Sequence, residues 1–210
     1  MQLNRTLADM PAASPGVEVR DDAGPAGRYS FKASLGGGES EFSLQPDALE
    51  FRRGGAVVRV PYDGIRQVRL AFRPTTIQPY RFVTEIRPAA GGKLTLVSAS
   101  ARSMIEQQRL DAPYRAFVVE LHRRLATAGH AVRFRAGSPA WLYWPGVAAI
   151  GALSISAAIF AYRALSAADW TNTLLFLGML ALFLWQMGAF LYRNRPGGYT
   201  PDRLPRRVMP

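Results

Sequence analysis

From Ala136 to Tyr162 the chain carries no Asp, Glu, Lys or Arg, and from Trp170 to Tyr192 it again carries none. A helix rises about 1.5 Å per residue, so roughly 20 apolar residues suffice to cross a hydrocarbon layer of about 30 Å. Both stretches exceed that length. Burying two such helices in a soluble core would require the 135 preceding residues to surround both completely, and those residues are dense in charge. The pattern therefore predicts a two-helix transmembrane hairpin, with spans at 140–162 and 173–192 and a short loop at 163–172.

The flanks orient the hairpin. Trp141, Tyr143 and Trp144 stand at the entry of the first span, Tyr162 and Trp170 near the turn, and Tyr192 at the exit, positions where amphipathic rings favour the headgroup layer. The loop holds one Arg and one Asp, whereas the tail after Tyr192 holds five Arg against one Asp. Arg123, Arg124, Arg133 and Arg135 precede the first span. Basic residues near span ends stay cytoplasmic, which predicts a multi-pass membrane protein with both termini inside and the loop in the periplasm or exterior. Arg133, Arg135, Arg193 and Arg195 are then candidate contacts for anionic lipid headgroups.

Ala148, Ala152 and Ser156 recur every fourth residue and offer a helix face that permits close backbone approach. The second span offers Gly178, Ala181 and Gln186 as packing positions, the glutamine preferring a hydrogen-bond partner in hydrocarbon. No ionisable side chain lies inside either span, which argues against a proton relay or an ion-coupled transporter built from this chain alone.

The formal net charge of +11 raises the question of nucleic acid. Residues 1–135 carry 20 Lys plus Arg against 13 Asp plus Glu, spread through the segment rather than gathered in a run. Cytoplasmic charge on a membrane protein accounts for this, and no nucleic-acid partner is expected. There is no cysteine, so disulfides, thiolate chemistry and Cys-based zinc sites are excluded. Residues 1–27 lack an apolar signal region and any periodicity, and read as a flexible leader.

From Tyr29 the pattern alternates. Tyr29, Phe31, Ala33 and Leu35 form one face of a strand, with a turn at Gly36 to Gly38. Phe42 and Leu44, Leu49 and Phe51, Val58 and Val60, then Val68, Leu70 and Phe72 mark further strands. Tyr80, Phe82, Thr84 and Ile86, followed by Leu94 and Leu96, mark the last ones. The period then changes to helical: Tyr114, Phe117, Val118, Leu121 and Leu125 share a stripe, with Asp111 as its cap and Gly129 as its end. The expected fold class is a mainly β N-terminal domain over 28–136, a partly open barrel of six to seven antiparallel strands plus an amphipathic helix, followed by the transmembrane hairpin. The alternating faces predict that this domain closes its own core. The tail at 193–210 is basic, and Pro196, Pro201, Pro205 and Pro210 favour an extended, accessible segment.

The strand run, the segment VPYDGIRQVRLAF and the closing helix YRAFVVELHRRL resemble bacterial PH-like domains over about residues 28–128. Attachment to two C-terminal spans and the tail NRPGGYTPDRLP are similar to a family of proteobacterial inner-membrane proteins. The resemblance implies a PH-like fold, which hosts many binding roles. The first hairpin, FKASLGGGESEF, sets Lys32 against Glu39 and Glu41 and so lacks the basic cluster of phosphoinositide-gripping members.

His122 and His130 are the only histidines, and neither has a metal-ligand companion at useful spacing. His122, beside Arg123 and Arg124, reads as part of the solvated helix face. No catalytic, metal or cofactor-binding residues are indicated, and no cofactor is expected. The expectation is a membrane-anchored, non-catalytic binding or scaffolding module that recruits a protein partner, or a second copy of itself, at the cytoplasmic face. The alternatives are an anionic-lipid-sensing surface module and an accessory subunit of an envelope or transport complex.

Overall fold

The structure, a computed structural model, describes residues 27–32, 38–75, 79–101 and 107–210. Leader residues 1–26, the strand positions Ala33 and Leu35 and the turn at Gly36 and Gly37 lie outside the described residues.

Four short strands build the first sheet: β1 (Arg28–Lys32), β2 (Glu39–Leu44), β3 (Ala48–Arg53) and β4 (Ala56–Pro61), paired antiparallel in that order. The β3–β4 connection has two residues, Gly54 and Gly55, both at positive φ, the backbone that a two-residue hairpin turn of matching twist demands. Alternation buries Tyr29, Phe31, Phe42, Leu44 and Leu49 on one face. Val60 joins them, but Val58 does not. It sits opposite Phe51 towards the hairpin tip, past the edge of the core, and is half exposed.

A second sheet is built on β5 (Ile65–Phe72), β6 (Phe82–Pro88) and β7 (Leu94–Val97), again antiparallel. The strand expected from Tyr80 begins only at Phe82, and Tyr80 lies in the turn before it. A small hairpin of β8 (Ala99–Ala101) and β9 (Gln107–Arg109) follows, and Leu110 leads into α1 (Asp111–Thr127). Asp111 is the first helical residue, Leu110 is the cap, and no side chain caps the helix; the Asp111 carboxylate pairs instead with Arg109. Gly129 closes the helix at positive φ, as the pattern requires. The helix lays Tyr114, Phe117, Val118, Leu121 and Leu125 into the core, where Tyr29, tilted, and Phe42, edge-on, pack around Phe117 at ring separations of 5.8 and 6.3 Å.

After α1 the chain re-enters the second sheet as β10 (Arg133–Ala136), parallel to β5, because a helix crossover returns the strand in the same direction. Among the described residues the strands form three separate sheets and do not close into a barrel, and their number exceeds the expected six or seven. Two long helices follow, α2 (Ala140–Ser166) and α3 (Trp170–Asn194), both long and apolar enough to cross a membrane. At about 1.5 Å per residue each is close to 40 Å long. Only Ala167, Ala168 and Asp169 separate them, and the Asp169 side chain accepts the Asn172 backbone N–H to start α3.

The tail is where the structure departs most from the sequence reading. Instead of projecting, residues after α3 form β11 (Gly197–Gly198), antiparallel to β10, and then a 3₁₀ turn at Arg206–Val208. Val208 is fully buried and Met209 nearly so, with Tyr199 and Leu204 packed against the same core. The prolines do exclude a regular helix, but four apolar side chains among them find an uncovered end of the β-domain. The core of the domain is thus completed by residues that lie beyond the hairpin in sequence.

Candidate functional site

The junction between domain and hairpin is tightly built. Gly137 has φ of 77°, and a Cβ there would stand 2.5 Å from the Asn194 carbonyl oxygen and closer still to that of Arg195. The Gly137 N–H donates to Leu70 O, and the Ser138 N–H donates to Asn194 O. The start of α2 and the end of α3 are therefore clamped side by side against β5. Arg69 reaches across to donate to Gly137 O, and burial holds its guanidinium below the usual arginine range.

His122 organises the docked tail. The expectation of a solvated histidine is overturned: it is 1% exposed, because it falls beside the Val118, Leu121 and Leu125 stripe, whereas Arg123 and Arg124 point away to Glu120. Its Nδ1 lies 2.7 Å from Val118 O and its Nε2 lies 2.8 Å from the Tyr199 hydroxyl. A carbonyl only accepts, so the proton sits on Nδ1, Nε2 is the acceptor, and the Tyr199 O–H donates. Phe134 completes a trio of rings with centroids 5.3 to 5.6 Å apart. Burial pushes the imidazole down to about 4. On the solvated side, the two arginines, Arg123 foremost, hold the Glu120 carboxyl down at about 2.

Of the four arginines proposed for headgroup contact, Arg133 and Arg135 are exposed on β10, and Arg195 is exposed just beyond α3. Arg193 lies elsewhere, 4.7 Å over the Phe72 ring and 5.9 Å from that of Tyr80. It lines an open pocket of 460 Å³ with Tyr80, Phe82, Arg109, Tyr192, Arg206, Arg207, Met209 and Pro210. The sequence reading did not find Arg109, Arg206 or Arg207, which are separated from Arg193 by up to 84 positions and carry no shared motif.

The helix-packing positions stand away from the hairpin interface. Ala148, Ala152, Ser156, Gly178, Ala181 and Gln186 are exposed. The helices meet instead through residues such as Ala161 and Thr173, and Phe160 stacks on Phe176 at 5.9 Å. Ser156 satisfies its hydroxyl on Ala152 O within its own helix.

Another surface is the free edge of the first sheet. Among the described residues β4 pairs only with β3, and Val57 and Val58, on opposite faces of that edge, are 53% and 45% exposed. No group of three or more His, Cys, Asp or Glu able to hold a metal occurs among the described residues. Comparison of the chain with protein-family models, curated proteins and solved structures finds no match.

Proposed function

We propose that this chain is a membrane-anchored, non-catalytic binding module that holds a protein partner, or a second copy of itself, beside the cytoplasmic face of a bacterial inner membrane. The observation that carries this reading is the β4 edge. A strand whose outer edge is unpaired among the described residues and carries exposed valines is a template for adding an extended segment, whose main chain would take up the free backbone groups while its side chains meet Val57 or Val58. A four-stranded and a three-stranded antiparallel unit followed by a helix supports a PH-like assignment for the domain. The clamp at Gly137 and Asn194 fixes the domain to both ends of the hairpin, so a partner captured on β4 is held at one height and at high effective concentration near other membrane proteins.

A photo-crosslinking side chain at Val57, introduced into the full chain in cells, tests the reading. A discrete adduct should form there, be absent from the same probe at the exposed Gly91 turn, and be lost on Val58→Lys. Equal labelling from both positions would remove β4 as the binding edge. Orientation is tested separately by fusing a phosphatase that is active only in the periplasm. Fusion after Ala167 should be active and fusion after Pro210 inactive; the reverse places the β-domain outside.

A further inference from the structure

The arginine pocket at the end of α3 has a composition that the protein-partner reading does not use. Four guanidinium groups, those of Arg109, Arg193, Arg206 and Arg207, line it, and no Asp or Glu does. Arg109 pairs with Asp111, whereas Arg193, Arg206 and Arg207 have no carboxylate partner among the described residues. Arg207 also carries a buried Nε with no hydrogen-bond partner. Arg109 and Arg193 both lie against the Tyr80 ring, at 5.6 and 5.9 Å from its centroid. Stacking on an aromatic ring holds a guanidinium plane while leaving its N–H edge free, the arrangement that receives a phosphate in bidentate fashion. Tyr192 and Arg193 belong to the last turn of an apolar helix 25 residues long, at the depth where lipid phosphates lie if that helix crosses a bilayer.

We infer that this pocket binds the phosphodiester of an anionic glycerophospholipid headgroup, and that the bound lipid staples the tail, the end of α3 and the β-domain together. The pocket is drawn from the turn before β6, from β9, from the end of α3 and from the tail, so one anion there bridges four segments distant in sequence. A phosphodiester that keeps its single negative charge answers the excess of guanidinium, whereas the choline headgroup brings its own cation and does so poorly. The inference rests on α3 crossing a membrane, and recovery of the chain in membranes after an alkaline wash tests that premise by itself.

The purified full chain in neutral-detergent micelles, mixed with equal phosphatidylglycerol and phosphatidylcholine of matched acyl chains, should retain phosphatidylglycerol in native mass spectrometry with a preference of at least about tenfold. Bound phosphatidylglycerol should also slow hydrogen exchange in residues 197–209. Arg206→Gln, at an exposed side chain of the tail, and Arg109→Gln, at an exposed side chain of β9, should each cut retention about fivefold or more. Joint replacement of Arg133 and Arg135 by Gln should leave it unchanged. Equal retention of the two lipids overturns the inference, as does undiminished retention by both Arg206→Gln and Arg109→Gln. If inorganic phosphate at millimolar levels displaces the lipid and slows the same exchange, the ligand is a free phosphate and the lipid assignment falls.

Discussion

Tyr199→Phe isolates one hydrogen bond between the returning tail and the helix of the β-domain. The substitution keeps the ring that packs on Phe134 at 5.6 Å and removes only the hydroxyl 2.8 Å from His122 Nε2. Nε2 is an acceptor in a site where the imidazole is 1% exposed, and its other nitrogen is committed to Val118 O. The Tyr199 hydroxyl is the one hydrogen-bond partner of Nε2 among the described residues, so its removal leaves a buried acceptor unsatisfied, at a cost of about 2 kcal/mol. Because the whole loss falls on the contact between tail and domain, it should raise the population of the undocked tail roughly 30-fold. Hydrogen exchange of the full chain in detergent micelles reads this directly, since the Tyr199 N–H donates to Phe134 O and Gly198 pairs with Arg135. Exchange in residues 197–199 should accelerate by that factor, while the β2–β3 ladder is little changed. If exchange there stayed within about twofold of the unsubstituted chain, the tail would not be held by His122 and the docking account would fail.

Acid should weaken the fold through the same histidine. The imidazole's folded value of about 4 lies below its ordinary 6.5, so the unfolded chain takes up the proton first; the stability owed to the neutral ring is complete above pH 6.5 and declines towards pH 4. The decline amounts to about 3 kcal/mol over that window, and a His122→Gln chain should give a flatter Tm profile between pH 7 and 4.5; parallel profiles would remove the histidine as the cause. Phe117→Asp places a carboxylate between the Tyr29 and Phe42 rings, costs more than about 5 kcal/mol and should abolish the β signature in circular dichroism. Gly137→Ala collides with the Asn194 and Arg195 carbonyls in a backbone that disfavours a side chain, and should lower Tm by several degrees and speed exchange at Ser138; an unaltered Tm would mean that the clamp yields freely.

Alternation and helical periodicity are local properties, so the strands that hold Tyr29, Phe42, Leu49, Val68 and Leu96, the helix stripe through Phe117 and the two apolar helices were all legible along the chain. Length and the absence of charge suffice to define a helix able to cross a membrane, because each residue adds a fixed rise and each charge a large desolvation cost. Where a side chain points around a helix was less secure. His122 stands between the buried Leu121 and the solvated Arg123, and its burial beside the helix stripe is completed by the rings of Phe134 and Tyr199, both distant in sequence.

The return of the tail could not be read from any window of the sequence. A segment with Pro196, Pro201 and Pro205 has no period to display, and whether its Tyr199, Leu204, Val208 and Met209 meet water or a core depends on what surface the hairpin brings next to it. The same holds for the arginine pocket, whose members are scattered from Arg109 to Arg207 and share no spacing. Sequence by itself determined the two long apolar helices and the alternating faces, since these follow from neighbours a few residues apart. Tertiary structure alone decided that the hairpin's two ends meet at Gly137 and Asn194, because that meeting depends on closing a loop of more than fifty residues and on a glycine small enough to admit two carbonyls.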